Sequence, residues 1–301
     1  MPYIYQVFGL TLASVIELPE LMPASASPDV RIIYGQVPLT LENATVETEM
    51  YQIRGDQWLL HLENDAGIRV LVHQGRTITI EQVDFRHPDI VRLYLLGWCM
   101  GAMLTQRHHI TLHGNAVVTP QGAIVIAGDS GAGKSSLTAE FYKRGYPILT
   151  DDVCAVRWQP DQAPLIQPGI PRLKLWAEVL DHFQEDVRLF KPVHPTSAKY
   201  HYSVKDAYSR TGQPFLALYV LNPTTTPNIR FRAIEGVKKV EQVSQQLYKL
   251  QVRHGQRNWP GFFQSLAALA RQIRVCQIER PLDNIVCSQM ADLIEADLVN
   301  S

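Results

Sequence analysis

The sequence predicts an α/β fold in two parts, a β-rich domain over residues 1–87 and a strand–loop–helix domain over residues 88–301. Three observations lead there. Runs such as Thr77-Ile78-Thr79-Ile80 in the first part alternate with the two-residue period of half-buried strands. A Gly-rich loop, Gly128-Asp129-Ser130-Gly131-Ala132-Gly133-Lys134-Ser135, stands between an apolar run and a helical pattern. Apolar residues at helical spacing then recur toward the C-terminus, alternating with a strand candidate.

The composition is that of an ordinary globular protein, with 46% hydrophobic and 19% charged residues and material for a large core. A formal net charge of −1 gives no global electrostatic case for a nucleic-acid or membrane partner. Cys99, Cys154, Cys276 and Cys287 are scattered without metal-ligand spacing, which reads as buried free thiols in a reducing compartment. Met1-Pro2-Tyr3-Ile4-Tyr5 lacks the basic and apolar regions of a signal peptide, so the expected location is cytoplasmic. The apolar stretch Tyr94–Leu104 is too short for a ~30 Å hydrocarbon layer and reads as a core helix.

In chain order, strands are expected at 30–34, 57–62, 69–72 and 77–80, with Gln74-Gly75 turning a hairpin between the last two. Residues 19–28 read as a loop. A helix follows over 88–105, apolar on almost every face (Val91, Tyr94, Leu95, Trp98, Cys99, Met103) and hence buried between layers. Strands Ile110–Val118 and Ala123–Ala127 flank the turn Thr119-Pro120-Gln121-Gly122 and should be antiparallel neighbours. Leu137, Phe141 and Tyr142 share one face of a helix that Gly145 closes. A short strand then runs into Asp151-Asp152, and Val153–Trp158 continues as another. Val240, Val243, Leu247 and Leu250 mark one helix, and Phe262 to Ile273 a second, with Pro260 near its start. A strand is expected at 274–278, and a last helix through Val286, Met290, Leu293 and Ile294, capped by Asp283 or Asn284.

The loop fits Gly-x-x-x-x-Gly-Lys-[Ser/Thr] at every defined position. Its glycines let backbone N–H groups of residues 128–136 approach phosphate oxygens, and the helix N-terminus behind it favours an anion. Lys134 reaches the β- and γ-phosphates, and the Ser135 hydroxyl is a Mg²⁺ ligand, so ATP with Mg²⁺ is the expected pair. The Asp151-Asp152 pair supplies one carboxylate for the metal and another for a general base; a simple turn-capping pair is the alternative. Neighbouring strand residues point to opposite faces, so both reach one site only if the strand end bends. His113 either tunes a carboxylate or is a satisfied core histidine. Residues 188–210 carry five cations with interleaved tyrosines and read as a basic loop. Within it Lys199, and before it Arg172, are candidates for phosphate or substrate contact.

From Leu112 to Trp158 the chain resembles the C-terminal domain of HPr kinase/phosphorylase and its related proteins, the lasso-peptide precursor kinases among them. The pieces are Leu112-His113-Gly114, Gly128 to Ser136, Arg144-Gly145 and Asp151-Asp152-Val153, with only 16 residues between Lys134 and Asp151. The resemblance implies a P-loop in a mixed sheet of the type shared with phosphoenolpyruvate carboxykinase. It implies an ATP-dependent kinase that phosphorylates a serine hydroxyl of a peptide or protein, such as a lasso-type precursor. It further implies Asp151 as base, Asp152 as metal ligand, His113 beside the catalytic carboxylate, and a homo-oligomer. The family's Glu-x-x-Gly signature segment is missing, which argues against phosphorylase activity and against HPr as substrate. A kinase of a small hydroxylated metabolite such as free serine, and a non-catalytic ATP-sensing regulator, are the other readings. Retention of both carboxylates speaks against the sensor.

Overall fold

The computed structural model describes residues 1–62, 67–82, 88–157, 162–194, 196–248, 261–282 and 285–299. Internal contacts divide the chain into two compact units, Met1–Thr111 with Tyr248–Phe262, and Leu112–Leu247 with Phe263–Ser301. The division thus falls at 111/112, whereas the sequence places it at 87/88. Side chains at the end of the helical stretch after residue 88 explain the difference. Gln106 Oε1 accepts from the Gly75 N–H at 2.7 Å, and Gln106 Nε2 and Arg107 donate to the carbonyls of Val72 and Gly75 at 3.0 and 2.9 Å.

The first unit holds β1 (Tyr3–Val7), β2 (Leu10–Ser14), β3 (Met22–Pro23), β4 (Val30–Tyr34), β5 (Val46–Glu47), β6 (Tyr51–Arg54), β7 (Gln57–Leu62), β8 (Ile68–His73) and β9 (Thr77–Gln82). They form one sheet in the order β3-β1-β2-β4-β9-β8-β7-β6-β5. The β8–β9 hairpin turns through Gln74 and Gly75, both at positive φ, as a tight turn between right-twisted strands requires. The β1–β2 hairpin escaped the sequence reading because its turn is Phe8-Gly9, with a buried Phe at φ 53°. The helix expected over 88–105 is α1 (Pro88–Tyr94), a π turn (Leu95–Cys99) and α2 (Met100–Gln106). Val91, Leu95, Cys99 and Met103 are buried, while half-buried Tyr94 and Trp98 meet edge-on at 6.5 Å.

The second unit runs through β10 (Ile110–Thr119), β11 (Gly122–Gly128), α3 (Lys134–Lys143), β12 (Ile148–Thr150), β13 (Val153–Arg157), β14 (Leu165–Ile166), β15 (Arg172–Trp176), α4 (Ala177–His182), β16 (Lys199–Ser203), β17 (Gln213–Thr224), β18 (Arg230–Ala233), α5 (Val237–Gln245), α6 (Phe262–Gln272), β19 (Arg274–Pro281) and α7 (Cys287–Val299). The main sheet is mixed, in the order β11-β10-β13-β14-β17-β19-β18, with β12 on β10 and β11 also on β17. β10 and β11 are antiparallel, as the intervening turn predicts, whereas β11–β17 and β17–β19 are parallel. Ile124, Ile126, Leu137, Phe141, Tyr219, Ile278 and Met290 fill the core between this sheet and helices α3 and α7.

Arg144, just beyond α3, joins that helix to α7. Its guanidinium reaches Glu140 at 2.9 Å, Asp292 and Glu295 at 2.8 Å each, and Ser288 Oγ at 2.9 Å. Gly145 follows at φ 89° and ends the helix as expected. Two expectations change. α5 stops at Gln245, so Leu247 lies past the helix, buried and bridged to Leu112. The basic stretch 188–210 is a loop only in part, since Lys199–Ser203 forms β16, the antiparallel partner of β15. Trp158, Leu250, Pro260, Asp283 and Asn284 lie outside the described residues.

Gly114 on β10 is held against β11 so closely that a Cβ would sit 2.7 Å from the Ile126 carbonyl oxygen and 3.0 Å from Val125 Cγ1. Backbone cannot yield as a side chain can. Gly114→Ala is expected to cost about 1–3 kcal/mol, read as a lowered Tm in thermal denaturation; an unchanged Tm would mean that the two strands separate freely there.

Candidate functional site

The phosphate-loop motif folds as a sharp link between β11 and α3. Gly128 leaves β11 at φ 138°, where a Cβ would lie 2.6 Å from the Leu221 carbonyl oxygen, so glycine is required there. Gly133, at φ 97°, is the residue before the first turn of α3. The Lys134 side chain folds back over the loop and donates to the carbonyls of Gly128 at 2.8 Å and Asp129 at 3.0 Å. Burial lowers the pKa of this ammonium and nearby Lys199 adds to the fall, while Asp152, Asp151 and Asp129 oppose it.

A cleft of about 810 Å³ opens over the loop. Ser130, Gly131, Gly133, Lys134, Ser135 and Ser136 line it from the loop side. Asp151, Asp152, His113 and Lys199 face it from the strands. The structure therefore brings together most of the residues singled out from the sequence. Gly128, Asp129 and Ala132 do not line it: Gly128 and Ala132 are buried in the loop, and Asp129 is exposed. Arg172 does not line the cleft: it is 7% exposed, two residues back along β15 from Lys174. Its charge still reaches Asp151.

The two aspartates arrive in one cleft because the chain bends between β12 and β13. Asp152 takes φ 70°, in the left-handed region that aspartate tolerates better than most residues. Asp151 is 3% exposed. Burial pushes its carboxyl up to about 6; Asp152 adds to the rise, and Lys174, Arg172 and Lys199 oppose it. Asp152 behaves oppositely. Burial would raise it too, but Lys174 and His113 outweigh burial and hold the carboxyl well below the usual range. Lys174 Nζ lies 2.8 Å from Asp152 Oδ2, and His113 Nδ1 lies 3.2 Å from Oδ1. The imidazole expected beside the catalytic carboxylate thus meets Asp152 rather than Asp151.

Three contributors, Asn115, Lys174 and Arg280, were not singled out from the sequence. Asn115, on β10, accepts the Asp152 N–H at 3.1 Å and donates to Thr138 Oγ1 at 3.1 Å and toward Ser135 Oγ at 3.4 Å. Lys174 comes from β15, whose alternation was legible: Leu173 and Leu175 enter the core while Lys174 and Trp176 face the cleft. Lys199 pairs with Trp176 across β15–β16 and its ammonium lies 4.8 Å from the indole centroid. Arg280, on β19, donates to the carbonyls of Ala132 at 2.8 Å and Gly131 at 3.1 Å, and so clasps the loop. Asn115 and Arg280 had no local signal, because their partners are distant in sequence.

The raised Asp151 pKa has a sign that can be tested. The folded chain keeps a proton that the unfolded chain, at about 3.8, releases. Stability from that proton is complete below pH 3.8 and is lost as pH rises toward 6. Asp151→Asn removes the titration, so its gain over the wild type should grow between pH 4 and 6 and level off near about 3 kcal/mol. Chemical denaturation across that range measures it; a gain independent of pH would show that Asp151 is not buried as a carboxylate.

No protein-family model matches the chain, and no curated protein matches it. Among solved structures, the chain is similar to the Hpr(Ser) kinase/phosphatase from Coxiella burnetii, with 13% sequence identity and a TM-score of 0.34. The likeness covers 63% of this chain and 91% of that one.

Proposed function

We propose that the chain is a Mg²⁺- and ATP-dependent kinase that transfers the γ-phosphoryl group to a serine hydroxyl of a peptide or protein. One observation carries this reading: a buried carboxyl with a pKa raised to about 6 faces the same cleft as the phosphate loop and its lysine. A nucleotide sensor needs the loop and the lysine, but has no use for a proton acceptor beside them. A general base works best when its pKa lies near the working pH.

Each role follows from position. Backbone N–H groups of residues 129–134 and the N-terminus of α3 hold the β- and γ-phosphates. Lys134 exchanges its two carbonyl partners for phosphate oxygens, which satisfy the ammonium better than neutral acceptors do. Asp151 takes the proton of the acceptor hydroxyl as that oxygen bonds to the γ-phosphorus. The bond from the γ-phosphorus to the β–γ bridging oxygen breaks, and ADP leaves. Lys174 keeps Asp152 ionised, and its neighbour Lys199 faces the oxygens of the group in transfer, where charge spreads during the reaction.

The donor set suits Mg²⁺. The Ser135 hydroxyl and the Asp152 carboxylate are hard oxygen ligands lining one cleft, linked through Asn115. Among the described residues no cluster of three His, Cys, Asp or Glu side chains stands ready for a metal. An ion that draws most of its ligands from water and phosphate needs no such cluster. When bound, Mg²⁺ would neutralise charge on the β- and γ-phosphates.

Mass spectrometry of acceptors after incubation with ATP and Mg²⁺ tests the reading. A serine-containing peptide, an HPr protein and free serine form the set. Expected is a gain of one phosphate on the peptide, abolished by Lys134→Ala. Asp151→Asn should keep ATP binding and lower turnover by roughly 10²–10⁴-fold. The wild-type rate should rise with pH through a midpoint near 6, since only the ionised Asp151 accepts a proton. ATP binding without transfer to any acceptor would favour the sensor, and near-normal turnover by Asp151→Asn would remove it as the base.

A further inference from the structure

The cleft has two unlike walls. One carries Asp151, Asp152, Lys174 and Lys199, each with a part in the proposed transfer, and His113 in contact with Asp152. The other, made of Leu282, Ile285, Val286, Cys287 and Met290, is apolar and takes no part in it. Leu282 and Ile285 are 58% and 44% exposed, while Cys287 and Met290, which also line the cleft, are buried.

Topology fixes where this wall stands. β11, β17 and β19 are parallel neighbours, and Gly128, Leu221 and Ile278 lie in one row across them. The phosphate loop begins at the end of that row, and β19 continues past it. Arg280 and Leu282 therefore stand beside the loop rather than behind it. Arg280 fixes the spacing through its bonds to Gly131 and Ala132, and turns a third donor onto the Pro281 carbonyl at 2.7 Å. Ligands in open sheets of parallel strands sit beyond the carboxyl ends of the strands, which is this edge.

We propose that this wall, with Leu282 and Ile285 at its rim and Met290 at its floor, receives the base and ribose of the nucleoside triphosphate. The assignment rests on the reading that the phosphates lie on residues 128–135. A nucleobase is a flat, largely apolar body that gains from covering aliphatic surface and loses by covering ion pairs. Seated on the opposite wall it would strip water from Lys174, Asp152 and His113, and it would occupy the approach to Asp151 that an acceptor hydroxyl needs. The apolar wall has neither drawback. The nucleoside then enters along β19–α7 and the acceptor along β15–β16, on opposite sides of the γ-phosphate.

The test compares ATP with inorganic tripolyphosphate, which has the phosphates without the nucleoside. Calorimetric titration of the full chain, with Mg²⁺, uses wild type, Lys134→Ala and the double variant Leu282→Ser/Ile285→Ser, whose positions are exposed enough to leave folding intact. Wild type should bind ATP at least tenfold more tightly than tripolyphosphate. The double variant should lose about tenfold for ATP and change less than twofold for tripolyphosphate. Equal wild-type affinities for the two ligands, or an equal loss for both in the double variant, would overturn the assignment. Failure of the folded wild type to bind either ligand, or indifference of both to Lys134→Ala, would overturn the phosphate reading itself, and the subsite with it.

Discussion

The side chain of Asn115 is the bracket on which the cleft depends. It is 1% exposed, in the middle of β10, and its two ends face different parts of the site. The carbonyl oxygen holds the N–H of Asp152, whose backbone bends into the left-handed region. The amide nitrogen holds Thr138 and reaches toward Ser135 in α3. A buried amide must satisfy its donors and acceptor or forfeit their hydration, so the two segments cannot drift apart without leaving a polar group orphaned. Phosphate loop and carboxylates are thereby held in mutual register by one residue that touches both.

Charge in the cleft is arranged by the same logic. Lys134, Lys174 and Lys199 face Asp151 and Asp152 in a shared, partly dry space. Two adjacent carboxylates in one environment would be poorly differentiated. Here Asp152 receives Lys174 and His113 in direct contact, while Asp151 meets burial first, and their pKa values move in opposite directions. Groups forced apart in this way are suited to different tasks, one staying ionised and one exchanging a proton near neutral pH. The ribbon β15–β16 supplies the cations without disturbing the core, because its opposite face buries Leu173, Leu175 and Tyr202.

Much of this was legible in the chain. The phosphate loop declares itself because its geometry demands glycine at fixed offsets, and glycine leaves a mark in sequence. β10, β11 and their turn, the helix after the loop, and the Asp pair after a short strand all follow from local pattern, with neighbours that lie close in sequence. The limits were local too. A turn built on Phe8 gave no signal, and the cationic density of residues 188–210 looked like a loop although its Lys199–Ser203 stretch pairs as a strand.

What the sequence determined by itself is the set of groups on offer: a Gly-rich loop of phosphate-binding pattern, a lysine, a hydroxyl and two carboxylates. Tertiary structure alone decided which carboxyl is buried, which is paired, and which cations meet them. Those outcomes depend on Asn115, Lys174 and Arg280, whose contacts with Ser135, Thr138, Asp152 and the loop carbonyls of Gly131 and Ala132 span 20 to 149 residues along the chain. Desolvation and ion pairing act through space, and a residue's own neighbours in sequence do not specify them.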